Sequence, residues 1–324
     1  MIICRSPLRI SLGGGGTDIP SFYKIYEGKV IAAAINKYVF TTIITPYVDG
    51  IFLKYSKSEN VSKIKDIKHP IIKEVLNNYK TYSKRIEITT LADIPSGTGL
   101  GSSGSFTNSL IRAIYELKEK KISKTDLAEK SCDIEINNLK RPVGKQDQYI
   151  SSFGGIKNFD FKKNGIVKVN DLKIKKKTIK KLENNLLLFF TGFTRSSTKI
   201  LKKQDVETKN SQKNIIDNLC EVKKIGIETE NLLLNGNLLD FGLLMNYHWK
   251  KKLERSKDIS NKKINYMYNQ ALKNGAIGGK LVGAGGGGFL MFYSEDPEKL
   301  RNKMKKLNIN ELKFNFDYEG TKVL

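Results

Sequence analysis

Apolar positions along this chain change their spacing several times, and each change marks a new element. Residues 28–56, "GKVIAAAINKYVFTTIITPYVDGIFLKYS", are dense in β-branched and aromatic residues and break at "PYVDG", which predicts strands joined by turns. "RIEITTLAD" (85–93) alternates and predicts another strand. From Ser103 the period lengthens: Phe106, Leu110, Ala113, Ile114 and Leu117 fall on one helical face, so a glycine- and serine-rich loop opens a helix. Ser123, with Asp126 three residues on, starts a second helix that runs to about Asn138. A lysine-rich stretch (162–185) follows, and "LENNLLLFFTGFTRSSTKI" then begins a new strand, loop and helix. This composition shift places a domain boundary near 180, giving domains 1–180 and 181–324. Helices over about 202–234, 237–255 and 260–274 come next, the last stopped by Asn274 and Gly275. "GKLVGAGGGGFLMFYS" reads as strand, glycine loop and strand, and "ELKFNFDYEG", alternating Phe314, Phe316 and Tyr318, as a final strand. No repeat occurs at solenoid periods.

The chain has 324 residues, 39% of them hydrophobic, enough for a sizeable core divided between two domains. Fifty-seven Lys and Arg against 33 Asp and Glu leave a net charge of +24, which attracts anions such as nucleotides, phosphorylated metabolites or nucleic acid. Much of the excess is Lys interleaved with Ile and Asn, the pattern of solvated faces. Nucleic-acid binding remains the alternative, although zinc spacing, RNP-type aromatics and an Arg-rich arm are all missing from the sequence. Cys4, Cys132 and Cys220 are widely separated and form no CxxC pair, as expected of free thiols in a reducing compartment. The apolar start is interrupted by Arg5 and Arg9, and no apolar run approaches the ~20 residues of a membrane span. A soluble cytoplasmic protein without membrane contact is the expectation; the oligomeric state, a homodimer included, stays open.

The loop "DIPSGTGLGSSGSF" (93–106) carries the sharpest chemistry. A strand, a Gly/Ser loop and a helix N-terminus together present unpaired N–H groups and the positive end of a helix dipole, which suits an anion. Gly99, Gly101 and Gly104 satisfy G-x-G-x-x-G, but the position about 20 residues on lies in Lys-rich helical sequence, which disfavours a dinucleotide fold. No Lys-Ser/Thr follows the glycines, so the Walker form is absent. Taken alone, the loop could also be a simple connection from strand to helix.

Its context is more specific. "PSGTGLGSSGSF" (95–106) resembles the phosphate loop of the GHMP small-molecule kinases; "SPLRISLGGGGTD" (6–18) resembles their first motif, "VGKQDQY" (143–149) the segment with their central aspartate, and "GKLVGAGGGGFLMFY" (279–293) their third motif. The four stand in the family's order across essentially the whole chain. Within the superfamily, the "GGGGTD" and "GKQDQY" forms are most similar to bacterial kinases of D-glycero-D-manno-heptose 7-phosphate, with the L-fucokinase domain next. Galactokinases have Glu-His where this chain has Gly15 and Gly16.

The resemblance implies an α+β protein with a ribosomal-protein-S5-like N-terminal domain, a ferredoxin-like C-terminal domain and an active site between them. It implies transfer of phosphoryl from magnesium-ATP to the anomeric hydroxyl of a phosphorylated sugar, the product serving nucleotide-activated heptose for lipopolysaccharide or capsule. Asp147 is then the proton acceptor or orienter of the hydroxyl, with Arg9 stabilising its carboxylate and the charge developing on the transferred group. Pro95, Gly97, Gly99, Leu100, Gly101, Ser102, Ser103 and Gly104 hold the ATP phosphates, and Ser103 with Glu135 offers hard oxygens to Mg2+. Gly14, Gly15, Gly16, Thr17 and Asp18 face the sugar, with Lys145 against the substrate or Asp147. Thr191, Arg195 and Ser197 come from the second half, Arg195 for a substrate phosphate, and Gly285 and Gly286 line the cleft. His69 and His248 sit outside every motif and are given no role. Rival readings are a kinase of L-fucose or another free sugar and, from charge alone, a nucleic-acid-binding module.

Overall fold

The computed structural model describes residues 1–79, 85–194, 198–210 and 212–324, with all their side chains but those of 198 and 199. β1 (Ile2–Gly13) and β2 (Gly28–Ile44) form a long antiparallel pair, linked through the short helix α1 (Pro20–Tyr26). From Ser6 to Gly13, β1 is buried at every position, the pattern of a strand covered on both faces rather than of one with a wet side. β3 (Gly50–Lys54), β4 (Ser58–Val61), the helix α2 (Pro70–Asn78) and β5 (Arg85–Ala92) follow. β2 is long enough to serve two partners: Val39–Ile44 pair with β5. Gly28–Ala33 pair with β6 (Ile156–Phe161), which β7 (Val167–Asp171) extends.

Between β5 and β6 lie α3 (Ser102–Leu117), α4 (Lys124–Cys132) and α5 (Gln146–Phe153). Ser123 caps α4 as its spacing predicts, its Oγ accepting from the Asp126 N–H at 3.0 Å. The helix then passes into a π-helical turn, Asp133–Asn138. A π-turn widens the helix locally and is often found where a side chain must be re-aimed. α3 buries Phe106, Leu110, Ile111, Ala113 and Ile114 on β1 and β2. Its polar residues are buried too, but each is tied: Asn108 donates to Gln148 O and Ser151 Oγ, both at 2.7 Å, clamping α5 to α3.

The chain changes sheets across α6 (Lys176–Asn185). β8 (Leu186–Phe190) is the first strand of a four-stranded antiparallel sheet. The helices α7 (Thr198–Lys209), α8 (Lys213–Asn235), α9 (Leu238–Arg255) and α10 (Lys262–Lys273) precede β9 (Ala276–Leu281) and β10 (Phe289–Ser294), and α11 (Pro297–Lys306) precedes β11 (Glu311–Leu312). The order is β11-β8-β10-β9. α8 reaches back onto β1 and β2 and packs on α9, which covers β9 and β10, so the helical layer joins the two sheets.

Two expectations are corrected. The stretch read as one helix over 202–234 is two, α7 and α8: the polar sequence after Lys209 offers no apolar face to carry α7 on, and Asn210 ends it with its N–H on Val206 O. Of the closing strand expected in "ELKFNFDYEG", only Glu311–Leu312 is a strand. Beyond it the chain crosses to the first sheet, where Phe316 bridges Ile35 and β12 (Lys322–Val323) pairs with β1. Phe314 and Phe316 are buried in that crossing and Tyr318 is exposed, so the aromatic alternation reflects a core plug rather than a pleat.

Candidate active site

A cleft of about 930 Å3 opens between the two sheets, floored by the glycine-rich loop before α3. Gly97, Gly99 and Gly101 all adopt positive φ, which lets the loop curl so that the N–H groups of Ser102, Ser103 and Gly104 face the cleft without helical acceptors. The loop is braced from the second sheet. A Cβ on Gly283 would stand 2.6 Å from the Gly99 Cα, so the "GAGGGG" turn and the phosphate loop touch backbone to backbone. The third motif thus braces the phosphate loop.

Asp147, in the first turn of α5, projects beside that loop. Arg9 of β1 donates from Nε to Asp147 Oδ1 at 2.8 Å and from Nη2 to Oδ2 at 3.0 Å, and its Nη1 donates to the Gly99 carbonyl. The predicted pair is therefore assembled, and the same guanidinium pins the phosphate loop. Such a two-pronged contact fixes orientation as well as charge.

Asp18 lies at the other side of Asp147, almost fully buried. It accepts from the N–H groups of Gly16 and Gln146 at 3.0 and 3.1 Å. Burial raises its pKa, against the lowering effect of the Gln146 N–H, and the Asp147 charge raises it further. A Cβ on Gly144 would fall 1.9 Å from Asp18 Oδ2, so the chain before α5 must be glycine there. Ser11 Oγ and Gln146 Oε1 are buried beside this carboxylate without partners and both residues line the cleft, ready for hydroxyl groups.

Glu135, delivered by the π-turn, is buried below the phosphate loop. It accepts from Ser103 Oγ, from Gln148 Nε2 at 2.9 Å and from Arg141 Nη1 at 3.1 Å, while Arg141 also donates to Ser103 Oγ at 2.9 Å. The two predicted magnesium ligands are thus in direct contact. Arg141, which the motifs did not point to, is the cation that balances them. Among the described residues no cluster of three or more His, Cys, Asp or Glu side chains is placed to hold a metal ion.

Other predicted residues are placed differently. Lys145 points away from the cleft and donates to both Glu129 oxygens, at 2.9 and 2.8 Å, and to Gly165 O; it fixes α4 rather than touching substrate. Thr191 is buried and donates to Gly288 O, and the Gly286 N–H donates to Ile259 O; both residues build the wall without reaching its surface. Thr17 holds the four-glycine turn through Gly14 O and Lys29 O, leaving Gly15, Gly16 and Asp18 on the cleft. Arg195 and Ser197 lie outside the described residues.

The cleft also gathers residues that no motif announced. Tyr55, His69, Ile71, Thr90, Leu91 and Ile94 join Phe106, the last residue of the phosphate-loop motif, at an end dominated by apolar and aromatic side chains, where the His69 and Phe106 rings meet edge to face at 5.3 Å. Lys252, Arg255, His248, Lys280 and Gln204 line the side formed by the second half. Lys280 Nζ donates to Leu12 O at 2.7 Å and meets His248 Nδ1 at 3.0 Å, and Lys252 Nζ donates to Leu281 O and Gly283 O. Burial, reinforced by neighbouring cations, pushes Lys280 down to about 7 and holds Lys252 and His248 well below their ordinary ranges. The sequence does hold one signal of this wall: Met245, His248, Trp249 and Lys252 share the buried phase of α9, an unusual place for a lysine.

A helix N-terminus braced for phosphates, with a carboxylate and an arginine at its mouth, is the equipment of a phosphotransferase, and the family models agree: "GHMP kinases N terminal domain" matches residues 67–155 and "GHMP kinases C terminal" matches 230–310. The chain belongs to the GHMP kinases, phosphotransferases with an alcohol group as acceptor. More particularly, it is 31% identical over 335 residues to a D-glycero-alpha-D-manno-heptose 7-phosphate kinase of Campylobacter jejuni, an alignment covering 98% of this chain and 97% of that protein. It is 25% identical to an L-fucokinase/L-fucose-1-P guanylyltransferase of Bacteroides fragilis, across 91% of this chain but 34% of that protein. Among solved structures, a D-glycero-D-manno-heptose 1-phosphate kinase from Bacteroides thetaiotaomicron superposes with a TM-score of 0.82 at 27% identity, over 100% of this chain and 99% of that one.

Proposed function

We propose that this chain transfers the γ-phosphoryl group of ATP to the anomeric hydroxyl of D-glycero-D-manno-heptose 7-phosphate, giving the 1,7-bisphosphate. The observation that carries the reading is the Arg9–Asp147 pair held against the phosphate loop by the Arg9 contact to Gly99. Phosphoryl transfer demands alignment and charge stabilisation more than covalent chemistry. The N–H groups at the start of α3 receive the nucleotide phosphates, and the apolar end lined by Tyr55, His69 and Phe106 receives adenine. Asp18, Ser11 and Gln146 take sugar hydroxyls, and Asp147 accepts a hydrogen bond from the attacking hydroxyl as its proton leaves. Arg9 then faces the charge that grows on the transferred group.

Ser103 and Glu135 fit a magnesium ion as adjacent hard oxygens at the phosphate loop, with Arg141 the counter-ion that a metal would displace or share. Bound there, Mg2+ supplies charge neutralisation between the nucleotide phosphates. The division into two domains near 180 belongs to the same reading. It is supported by the change of sheet between Asp171 and Leu186, with the tail that ends in β12 assigned to the first. Among the described residues no helix is long and apolar enough to cross a membrane. The same reading makes the chain a cytoplasmic enzyme whose product feeds nucleotide-activated heptose to lipopolysaccharide or capsule.

The test is ADP release with magnesium-ATP across heptose 7-phosphate, the free heptose, L-fucose and mevalonate, with the product followed by phosphorus NMR. Turnover confined to heptose 7-phosphate with a new anomeric phosphate supports the assignment. Turnover of L-fucose instead makes the chain a free-sugar kinase, the second reading that the Bacteroides fragilis relative keeps in view.

A further inference from the structure

The charges around the cleft do not cancel. Arg9 is paired with Asp147 and Arg141 with Glu135. Lys252, Lys280 and Arg255 stand together on the opposite wall, and the electrostatic neighbours of the two lysines are other cations. Among the described residues none of the three is paired with a carboxylate. Buried or half-buried cations without counter-ions are costly and are kept where an anion is to be received.

The three are not equivalent. An ammonium has three donors, and each lysine has already directed two of them at fixed partners, Lys252 at Leu281 O and Gly283 O and Lys280 at Leu12 O and His248. Arg255 has five donors and one hydrogen bond to a described side chain, from Nη1 to Gln204 Oε1 at 3.2 Å. Its Nε is buried and has no partner. Gln204 in turn donates from Nε2 to Gly16 O at 3.1 Å, and a Cβ on Gly16 would lie 2.8 Å from Arg255 Nη1. The guanidinium is therefore seated on the four-glycine turn, the sugar side of the Arg9–Asp147 pair, not on the phosphate loop. The absence of a side chain at Gly16 is what leaves it room.

We propose that Arg255, seated by Gln204 against Gly16 and backed by Lys280 and Lys252, binds the phosphate that the acceptor sugar already carries, remote from the hydroxyl being phosphorylated. A planar fork suits a tetrahedral dianion better than a point charge does. The anion of this site belongs to the acceptor because the nucleotide phosphates are met across the cleft by the start of α3. Arg195, which the sequence put forward for this task, lies outside the described residues. The inference rests on the phosphosugar reading given above and adds the residue that makes the enzyme prefer a phosphorylated sugar.

The experiment compares wild type with Arg255→Gln and Arg255→Lys, using heptose 7-phosphate and the free heptose as acceptors and circular dichroism to confirm folding. Loss of charge-assisted hydrogen bonds predicts a rise of roughly 10- to 100-fold in the KM for heptose 7-phosphate in Arg255→Gln. The KM for ATP stays within about threefold, and the preference for the phosphorylated over the free sugar falls by the same factor as affinity. Arg255→Lys recovers part of the preference. A substitution that lowers kcat on both acceptors equally and leaves the preference unchanged overturns the inference while the functional reading stands. Wild type that turns over only unphosphorylated sugars overturns both. If wild type turns over neither sugar, calorimetric titration with heptose 7-phosphate decides: binding lost in Arg255→Gln supports the subsite, and equal binding in the two proteins refutes it.

Discussion

Arg9 grips both oxygens of Asp147, at 2.8 and 3.0 Å, while its remaining nitrogen reaches the Gly99 carbonyl of the phosphate loop. One side chain thus sets the distance between the group that receives the acceptor's proton and the loop that holds the phosphates. Replacing Asp147 by Asn keeps the shape and removes the charge and the second acceptor oxygen. We expect kcat to fall by about 10^2 to 10^4, with the KM for ATP changed less than about threefold. A loss below tenfold in single-turnover measurements would place the proton acceptor elsewhere.

Gly104 has ordinary helical geometry, and its lack of a side chain serves packing. A Cβ there would stand 2.9 Å from the Asp147 Cβ and 3.0 Å from the Gln148 nitrogen, so Gly104→Ala must push α5 away from α3. Displacement of a catalytic group by about 1 Å can cost on the order of 10^2 in rate. We expect Gly104→Ala to lower kcat by that order while the melting temperature drops by only a few degrees. A variant with unchanged kcat would show that Asp147 need not be held at this spacing.

Glu135 and Ser103 share a hydrogen bond at the start of α3, with Arg141 beside them. Glu135→Gln preserves the volume and removes the charge that a divalent cation would use. We expect the magnesium concentration for half-maximal rate to rise at least about tenfold, and manganese binding, followed by electron paramagnetic resonance in the presence of ADP, to weaken in parallel. Unchanged metal dependence on both readouts would assign Glu135 to holding Arg141 and Gln148 alone.

Lys280, pushed down to about 7 by burial and by the nearby Arg255 and Arg9, gives a pH signature. An arriving phosphate raises its pKa, so at pH 8 binding of the sugar phosphate should draw a proton from solvent. Calorimetry in two buffers of different ionisation enthalpy measures that uptake, and Lys280→Met should abolish it. The same shift has a defined sign for stability. Between about 7 and the unfolded value near 10.5 the unfolded chain binds a proton that the folded one does not, so stability rises with pH across that window. Lys280→Met should therefore raise the melting temperature at pH 7 and lose that advantage as the pH approaches 10. No proton uptake at pH 8 would place the bound anion out of reach of Lys280.

Elements with strong periodicity are legible in the apolar spacing alone: the helix after the glycine loop, the Ser123 cap, and the strands 28–44 and 85–92 all stand where that spacing puts them. Arg9, Asp147 and the loop glycines could be singled out because they stand in short motifs that resemble those of the GHMP kinases, not because apolar spacing points to them. Lys252 and Arg255 are hidden in "KKKLER", a run that composition alone assigns to solvent; only the phase of Met245, His248 and Trp249 on the same helix reveals that Lys252 turns inward. Lys145 misleads in the opposite direction: adjacency to Asp147 in sequence says nothing of side-chain direction at the first turn of a helix, and the side chain goes to Glu129. The end of the chain misleads because Phe314 and Phe316 alternate like a strand while filling a gap between two sheets.

The crossing of the chain's last segment to the first sheet has a bearing on how the molecule comes into being. Asp317 ties its backbone to Ala34 and Gly155 and receives the Tyr38 hydroxyl at 2.9 Å, and Val323 lies opposite Cys4 across the sheet. β1 is flanked by Lys322 and Val323, contacts of very long sequence separation that form slowly. A nascent chain halted at Asp171 would hold most of the first sheet with one edge of β1 bare and the turn at Gly154 and Gly155 unsealed. The two halves are therefore successive in the chain yet closed together, by the one segment that runs from the second sheet back to the first.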